Sequence, residues 1–460
     1  MTTSISTLSL EDLRARVSGR VIAPGDEDYD TARVVMSGAV DARPAAIVRV
    51  ANADDVARVI AYARESGAEL AVRAGGHSAA GHSTVEGGIV IDLRDLRNIE
   101  VDPDTRTAWA DGGLTAYDVT VATAEHGLAV GFGDTGTVGI GGITLGGGIG
   151  YLVRKYGLTI DNLLAAEIVT ADGRILTVDE TSHPDLYWAL RGGGGNFGVA
   201  TRFKYRLQPV SEATGGLLVL PATPEVVAGF IAEADKAPEE LSTIANVMAS
   251  PPLPFVDAQY HGTPVVMALM CHIGDAAAGE RAMAPFRALA EPLADMVKPI
   301  RYPEMYPEEE QDSDYHPTAV SRTMFVDRIG PDEAKAIIEA IEASDAPMRG
   351  AQLRVLGGAA SRVPADATAY AHRSSRIMAN VFSFYVGEEE RPRREAWVED
   401  LVGALQQDDR GAYVNFLADE GPERVRAAYP EATWERLAAV KAIYDPENLF
   451  RRNQNVPPVS

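Results

Sequence analysis

The sequence predicts an α+β protein of two domains, and three observations carry that prediction. Its 460 residues exceed what a single hydrophobic core usually covers. Up to about residue 213, short strand-like and helix-like segments alternate around four glycine-rich loops. From Leu217 onward, longer strands alternate with long amphipathic helices and lack the spacing of tight parallel crossovers. That second texture is the pattern of an antiparallel sheet covered by helices on one face.

The elements follow in order. "AIVRV" (46–50) reads as a strand and "NADDVARVIAYARESG" as the helix after it. Asn52 or Asp54 caps that helix, Val56, Ile60 and Ala63 share a face, and Gly67 ends it. "AELAVR" is the next strand, so the three segments form a β-α-β unit that feeds the loop "VRAGGHSAAGHS" (72–83). "TRTAWADGG", "TAYDVTVATAEHG" and "LAVGFG" are expected to form a second such unit. "AAEIVTADGRILTVD" reads as a hairpin turning at Ala171, Asp172 and Gly173. Helix "HPDLYWAL", loop "RGGGGNFG" and strand "VATRFKYRLQPV" close this half near Pro209. Beyond it, "GLLVLP", "VVMALMCHIG", "AQLRVLGG" and "ANVFSFYVG" are expected strands. "TPEVVAGFIAEADKA", "AAAGERAMAPFRALAEPLADMV" and "PDEAKAIIEAIEAS" are expected helices.

Composition bounds the function. Lys and Arg total 42 against 66 Asp and Glu, a net charge of −24 that disfavours nucleic acid and anionic membrane as partners. The N-terminal "MTTSISTLSLEDLRARV" lacks the basic-then-apolar pattern of a leader, and no apolar run is long enough to cross a bilayer. A cytoplasmic protein is expected. The single cysteine, Cys271, lies in an apolar segment and reads as an inert core thiol.

The glycine loops carry the chemistry. A G-x-G-x-x-G occurs at 131–136, but a dinucleotide fingerprint needs a helix to open there and more glycine follows instead, so a Rossmann NAD site is rejected. The loops "RAGGHSAAG", "GTVGIGG", "GGGIG" and "GGGGNFG" offer bare N–H groups to a pyrophosphate, with Ser78 and Thr137 as hydroxyl donors. Only Arg73 is basic beside the first loop, so amide dipoles rather than charge would hold phosphates. Each loop alone is equally a plain turn; four together favour one large flat ligand. His77 and His82, with Glu86, are also spaced as a metal pair, but no further His or Cys stands near to complete a ligand set, and no metal is expected.

Residues 20–215 resemble the FAD-binding domain of the vanillyl-alcohol-oxidase superfamily, in its berberine-bridge-enzyme-like branch. The resemblance rests on "VIAPGDEDYDTAR", "RPAAIVRVANADDVARVIAYA", "VRAGGHS", "TVGIGGITLGGGIGYLVRKYGLTIDNL" and "YWALRGGGGNFGVAT", and on the tail stretches "AYVNF" and "YDPENLFRRNQNVPP". It implies a PCMH-type FAD-binding domain of two α/β subdomains (1–213), a substrate-binding domain (214–405) and a berberine-bridge-like segment (406–460) returning to the FAD domain. It implies FAD joined through a ring nitrogen of His77 to the flavin 8α carbon; a neutral imidazole is the nucleophile such a bond needs. Many family members carry a second, cysteinyl tether where this chain has Thr135, so a single link is expected. The FAD contacts it implies are Arg73, Ala74, Gly75, Gly76, His77, Ser78 and Gly81; Thr135, Thr137, Val138, Gly139, Gly141 and Gly142; Gly146, Gly147, Gly150, Asn162, Gly198 and Val199; and Asn415 and Asn455.

In relatives that oxidise alcohols, the first Tyr of a Y-x-N-[YF] stretch is the base, which implies that role for Tyr413; a core Tyr is the alternative. "GAYVNFLA" reads as a strand with Tyr413 and Asn415 on one face. A tyrosine base needs a cation or strong hydrogen bond, since a free phenol titrates near 10. On "AQLRVLGG", Gln352, Arg354 and Leu356 share a face that either lines the pocket or is a plain strand edge; Arg354 is the candidate cation. The tail resembles that of the family's 6-hydroxy-D-nicotine oxidase branch, whose lysine and glutamates on this strand are missing here. Val138 stands where relatives keep a small residue that admits O2. The expectation is an oxidase that moves hydride from a C–OH of a sugar, alcohol or secondary metabolite to flavin N5 and reduces O2 to hydrogen peroxide. Its partners would be a small-molecule substrate and O2. An amine oxidase or oxidative cyclase is the second reading, and a flavoprotein without turnover the third.

Overall fold

The computed structural model describes residues 8–210, 212–307 and 316–459. The first seven residues of the N-terminal stretch read above lie outside them. Among the described residues, no helix is long and apolar enough to cross a membrane.

The first layer is a four-stranded sheet in the spatial order Arg20–Ile22, Ala46–Arg49, Ile89–Asp92, Leu70–Arg73. Its last three strands run parallel, as a β-α-β crossover requires. The helix Ala53–Ser66 starts where Asn52 accepts a hydrogen bond from the Asp55 N–H and stops at Gly67, which takes the left-handed φ of 72°. Val56, Val59, Ile60 and Ala63 bury against Ala46, Val48, Ile89 and Ile91.

The second layer corrects an expectation. Thr107–Asp111 belongs to a five-stranded antiparallel sheet with Ile99–Asp102, Val199–Arg206, Leu163–Val169 and Ile175–Asp179, so no second β-α-β unit forms. Only Leu128–Ala129 of "LAVGFG" is extended, and it pairs separately with Gln208–Pro209. Glycine pairs poorly in strands, and the glycine-dense run that begins at Gly131 ends the strand after two residues.

The third layer is the large antiparallel sheet expected for the second half. Its main path runs Ala294–Asp295, Ala213–Pro221, Pro264–Ile273, Leu241–Ala249, Arg349–Val355, Ile377–Phe384, Ala319–Val326. Helices Pro224–Lys236, Ala276–Arg287, Pro331–Ala343 and Arg391–Leu405 cover one face, burying Phe230, Phe286, Ile337 and Leu401 on Ala245, Val247, Leu353 and Val381. The long helix read through Val297 stops at Arg287. Pro292 cannot donate an i→i−4 bond, and the chain beyond it becomes the edge strand Ala294–Asp295. The other face of the sheet carries Asn246, Gln352 and Arg354 toward the glycine loops. The helix Glu431–Tyr444 then packs Leu437, Ala438 and Tyr444 into the core of the second layer.

Candidate functional site

Strand Leu70–Arg73 delivers the first loop, and Arg73 anchors it. The guanidinium, 1% exposed, donates to Asp92 at 2.9 Å and to the Ala32 and Val34 carbonyls. Burial pushes its pKa down to about 10. Its two terminal nitrogens are held by these protein groups, and the buried Nε has no hydrogen-bond partner among the described residues. Past it, Gly75 and Gly139 meet backbone to backbone: a Cβ on Gly75 would lie 2.2 Å from the Gly139 nitrogen, and one on Gly139 would lie 2.1 Å from the Gly75 nitrogen. Only glycine permits that approach. Ala74 packs in the same contact, within reach of a Cβ at Gly139 or Gly141.

This contact places His77 against the second loop, where it forms a hydrogen bond with the Thr137 backbone. Burial lowers its pKa to about 4, so the imidazole is neutral at pH 7. Gly76 and Gly81 take φ values of 76° and 70°, and the Ser78 hydroxyl accepts from the His82 N–H. Glu86 accepts from the Arg43 N–H. Thr135, Thr137 and Val138 are half-buried on the facing loop. That loop is pinned by hydrogen bonds from the Ala116 N–H to the Val138 carbonyl and from the Tyr306 hydroxyl to the Gly133 carbonyl.

The helix Ile140–Gly146 continues the rim. Gly142 is exposed, and a side chain there would meet nothing within 4 Å. The next glycines are closely packed on protein. A Cβ on Gly146 would strike the Asn415 carboxamide, one on Gly147 would crowd Tyr413 and Tyr370, and one on Gly150 would strike the Gly133 carbonyl.

Asn415 sits on a 3-10 turn, Val414–Phe416, that Tyr413 immediately precedes, and not on the expected strand, because the Phe416 and Leu417 N–H groups bond back to the Tyr413 and Val414 carbonyls. They still converge. The Tyr413 hydroxyl oxygen accepts from the Gly148 N–H at 2.9 Å, from the Asn415 amide at 3.0 Å and from the Ile149 N–H. Burial raises the Tyr413 pKa, while these donors and Arg354 work in the opposite direction.

Gln352 and Arg354 share a face as expected: Gln352 Oε1 accepts from Arg354 Nε and Nη2, and Gln352 Nε2 donates to Asn246. Arg354 does not reach Tyr413 directly. It pairs with Asp134 at 2.7 Å, donates to the Ile149 carbonyl and lies over the Phe416 ring. Leu356 follows the end of the strand and is buried beside Tyr413 and Phe325.

The C-terminal tail closes the ring of loops. Arg452 donates to the Thr84 and Gly81 carbonyls, Asn453 to the Gly195 carbonyl, and Asn196 accepts from the Val456 N–H. In these segments, the buried side-chain oxygens of Ser83, Thr84, Asn453 and Asn455 have no hydrogen-bond partner among the described residues. Three further residues expected at the site are also tied into the framework. The Asn162 carboxamide is engaged by the Tyr156 and Leu158 carbonyls and by Gln208, Gly198 packs on the Val169 carbonyl, and Val199 opens a sheet strand.

Sequence reasoning missed Asp134, Asn246 and the Gly148–Ile149 amides, and it missed Lys441. That lysine is fully buried and holds Asp445 and the Asn196 and Phe450 carbonyls. Its only signal was the i, i+4 spacing to Asp445 within apolar sequence.

Backbone loops in mutual contact, unpartnered buried oxygens, open space over Gly142 and a neutral imidazole fit the polar chemistry of a cofactor such as FAD. Comparison with known proteins agrees. Residues 44–179 match the FAD binding domain family, and residues 412–457 match the berberine and berberine like family. The chain is 31% identical to (R)-6-hydroxynicotine oxidase of Paenarthrobacter nicotinovorans, over 96% of this chain and 97% of the other. It is 28% identical to a xylooligosaccharide oxidase of Thermothelomyces thermophilus, over 90% of this chain and 87% of that protein. The crystal structure of 6-hydroxy-D-nicotine oxidase from Arthrobacter nicotinovorans superposes with a TM-score of 0.85, covering all of both chains at 26% identity. The Cys271 thiol stays in a separate buried cluster, its pKa pushed up to about 12 by burial. The chain therefore belongs to the berberine-bridge-enzyme-like family of FAD-linked oxidoreductases.

Proposed function

We propose that the protein is an oxidase whose FAD is joined once, through a His77 ring nitrogen to the flavin 8α carbon, and that it oxidises a C–OH group. When bound, FAD supplies the hydride acceptor at N5 and, once reduced, the electrons that turn O2 into hydrogen peroxide. The observation that carries the reading is Tyr413: a phenol 2% exposed, aimed at three N–H donors at the end of the helix whose start touches the His77 loop. Its phenolate takes the hydroxyl proton of the substrate as hydride leaves the adjoining carbon. Gln352 and Arg354 line the roof, and Val138 borders the oxygen path. The relative named for xylooligosaccharides supports C–OH donors. The relative named for 6-hydroxynicotine supports a second reading, oxidation beside an amine. Divisions at 1–213, 214–405 and 406–460 are part of the same proposal.

Anaerobic stopped-flow against a panel of sugars, alcohols and amines tests it, with peroxide release measured in air. Tyr413→Phe is expected to slow flavin reduction by ~10²–10⁴-fold. It also strands buried N–H donors, costing about 1–3 kcal/mol of stability. Reduction of the Phe variant at wild-type rate removes the base assignment. His77→Ala is expected to release its flavin on acid denaturation, whereas wild type retains one FAD in its intact mass.

A further inference from the structure

We propose that a cradle of N–H donors from Gly148, Ile149 and Asn415 stabilises the Tyr413 phenolate against the cost of its burial, and that Arg354 is a positioning residue that fixes this cradle. The inference rests on the reading of Tyr413 as the base and names what activates it.

The geometry is that of an anion site. The Gly148 and Asn415 donors stand 2.9 and 3.0 Å from the phenol oxygen, and the Ile149 N–H joins them. Successive N–H groups point to one side here because Gly147 and Gly148 take φ values of 135° and 81°. Backbone of that kind forms anion-holding concavities. The turn is bolted in place. The Thr159 and Ile160 N–H groups bond the Gly148 and Gly147 carbonyls, and a Cβ on Gly148 would lie 1.8 Å from the Thr159 hydroxyl. The Ile149 carbonyl accepts from Arg354 Nη1 at 2.8 Å, so the guanidinium holds the turn from its far side.

Arg354 is poorly placed to act as a bare cation. Asp134 matches its charge at 2.7 Å, and its plane lies over Phe416. The other titratable group against the Tyr413 ring is Tyr370, with the paired Arg373 and Asp161 behind it. Donors thus converge on the phenol oxygen while the neighbouring charges are paired. The proton released by the phenol passes to solvent before substrate binds.

The test uses FAD-loaded enzyme with ring-labelled tyrosine, following Tyr413 by NMR from neutral to alkaline pH and assigning it with Tyr413→Phe. Asn415→Asp and Asn415→Ala are expected to raise the Tyr413 midpoint by about one pH unit or more, a tenfold loss of phenolate at a given pH. The first keeps the shape and the second serves if the first fails to fold. Arg354→Lys keeps the charge but loses the fixed fork on the Ile149 carbonyl, so it is expected to raise the midpoint as well. The proposal is overturned if both Asn415 variants titrate as wild type, or if Arg354→Lys leaves the midpoint unmoved while Arg354→Met raises it. A wild-type Tyr413 that stays protonated up to alkaline unfolding overturns it too. Failure of the base assignment is read separately, as Tyr413→Phe reducing its flavin at wild-type rate.

Discussion

The Asp134 carboxylate and the Arg354 guanidinium meet at 2.7 Å, joining a glycine-rich loop of the first half to an interior strand of the large sheet. Arg354 is 3% exposed and Asp134 about one fifth, so solvent compensates little for the loss of either partner. Asp134→Asn is expected to cost about 2–3 kcal/mol in urea denaturation by leaving a buried cation without its counter-charge. Adding Arg354→Met to Asp134→Asn should recover part of that loss, because a neutral pair is cheaper to bury than one unmatched ion. Equal, additive losses would show that the two side chains do not interact.

Lys441 ties the tail to the loop 193–196 in the same way. Its ammonium, fully buried, contacts the Asn196 and Phe450 carbonyls and Asp445. Lys441→Met is expected to destabilise the fold by about 3–5 kcal/mol. Because Asn196 also accepts from the Val456 N–H, the variant should loosen the tail at Asn453 and Asn455, read as faster hydrogen exchange there than in the four-stranded sheet.

His82 gives the stability a pH dependence. Burial and the nearby Arg452 lower its pKa to about 4 from an ordinary 6.5. Between those values the unfolded chain binds a proton that the folded chain refuses, so the contribution is complete above 6.5 and is lost as pH falls through about 4. His82→Asn should flatten that part of the curve while leaving the stability at pH 8 within about 1 kcal/mol of wild type. Denaturation midpoints across the window decide it, and parallel wild-type and variant curves would refute it.

Local chemistry made much of this architecture legible. Asn52 and Gly67 announce one helix at both ends, and the turn 73–78 combines residue types that few other structures need. Strand Leu241–Ala249 escaped notice because it is buried everywhere except Asn246, so no alternation marks it. The segment around Tyr413 alternates like a strand, yet it folds into a turn whose closing bonds are only i→i+3. Asn162 and Gly150 lie within matching motifs, and the motifs do not display that the Asn162 carboxamide bridges three framework groups or that Gly150 is pressed on a carbonyl. Contacts between segments far apart in the chain decide such roles, and a single sequence does not display those contacts. The glycine run concealed in particular which glycines face open space and which face protein.

The position of Cys271 has a practical consequence. A thiol with no exposed surface and a pKa near 12 holds almost no thiolate at neutral pH, and thiolate is the form that peroxides and maleimides attack. The thiol should therefore resist oxidation by peroxide, and it offers a silent background for cysteine labelling. One cysteine introduced at an exposed position, such as Val386 at 79% exposure, would be the single reactive handle for a fluorophore or an electrode linker, with the native residue left in place.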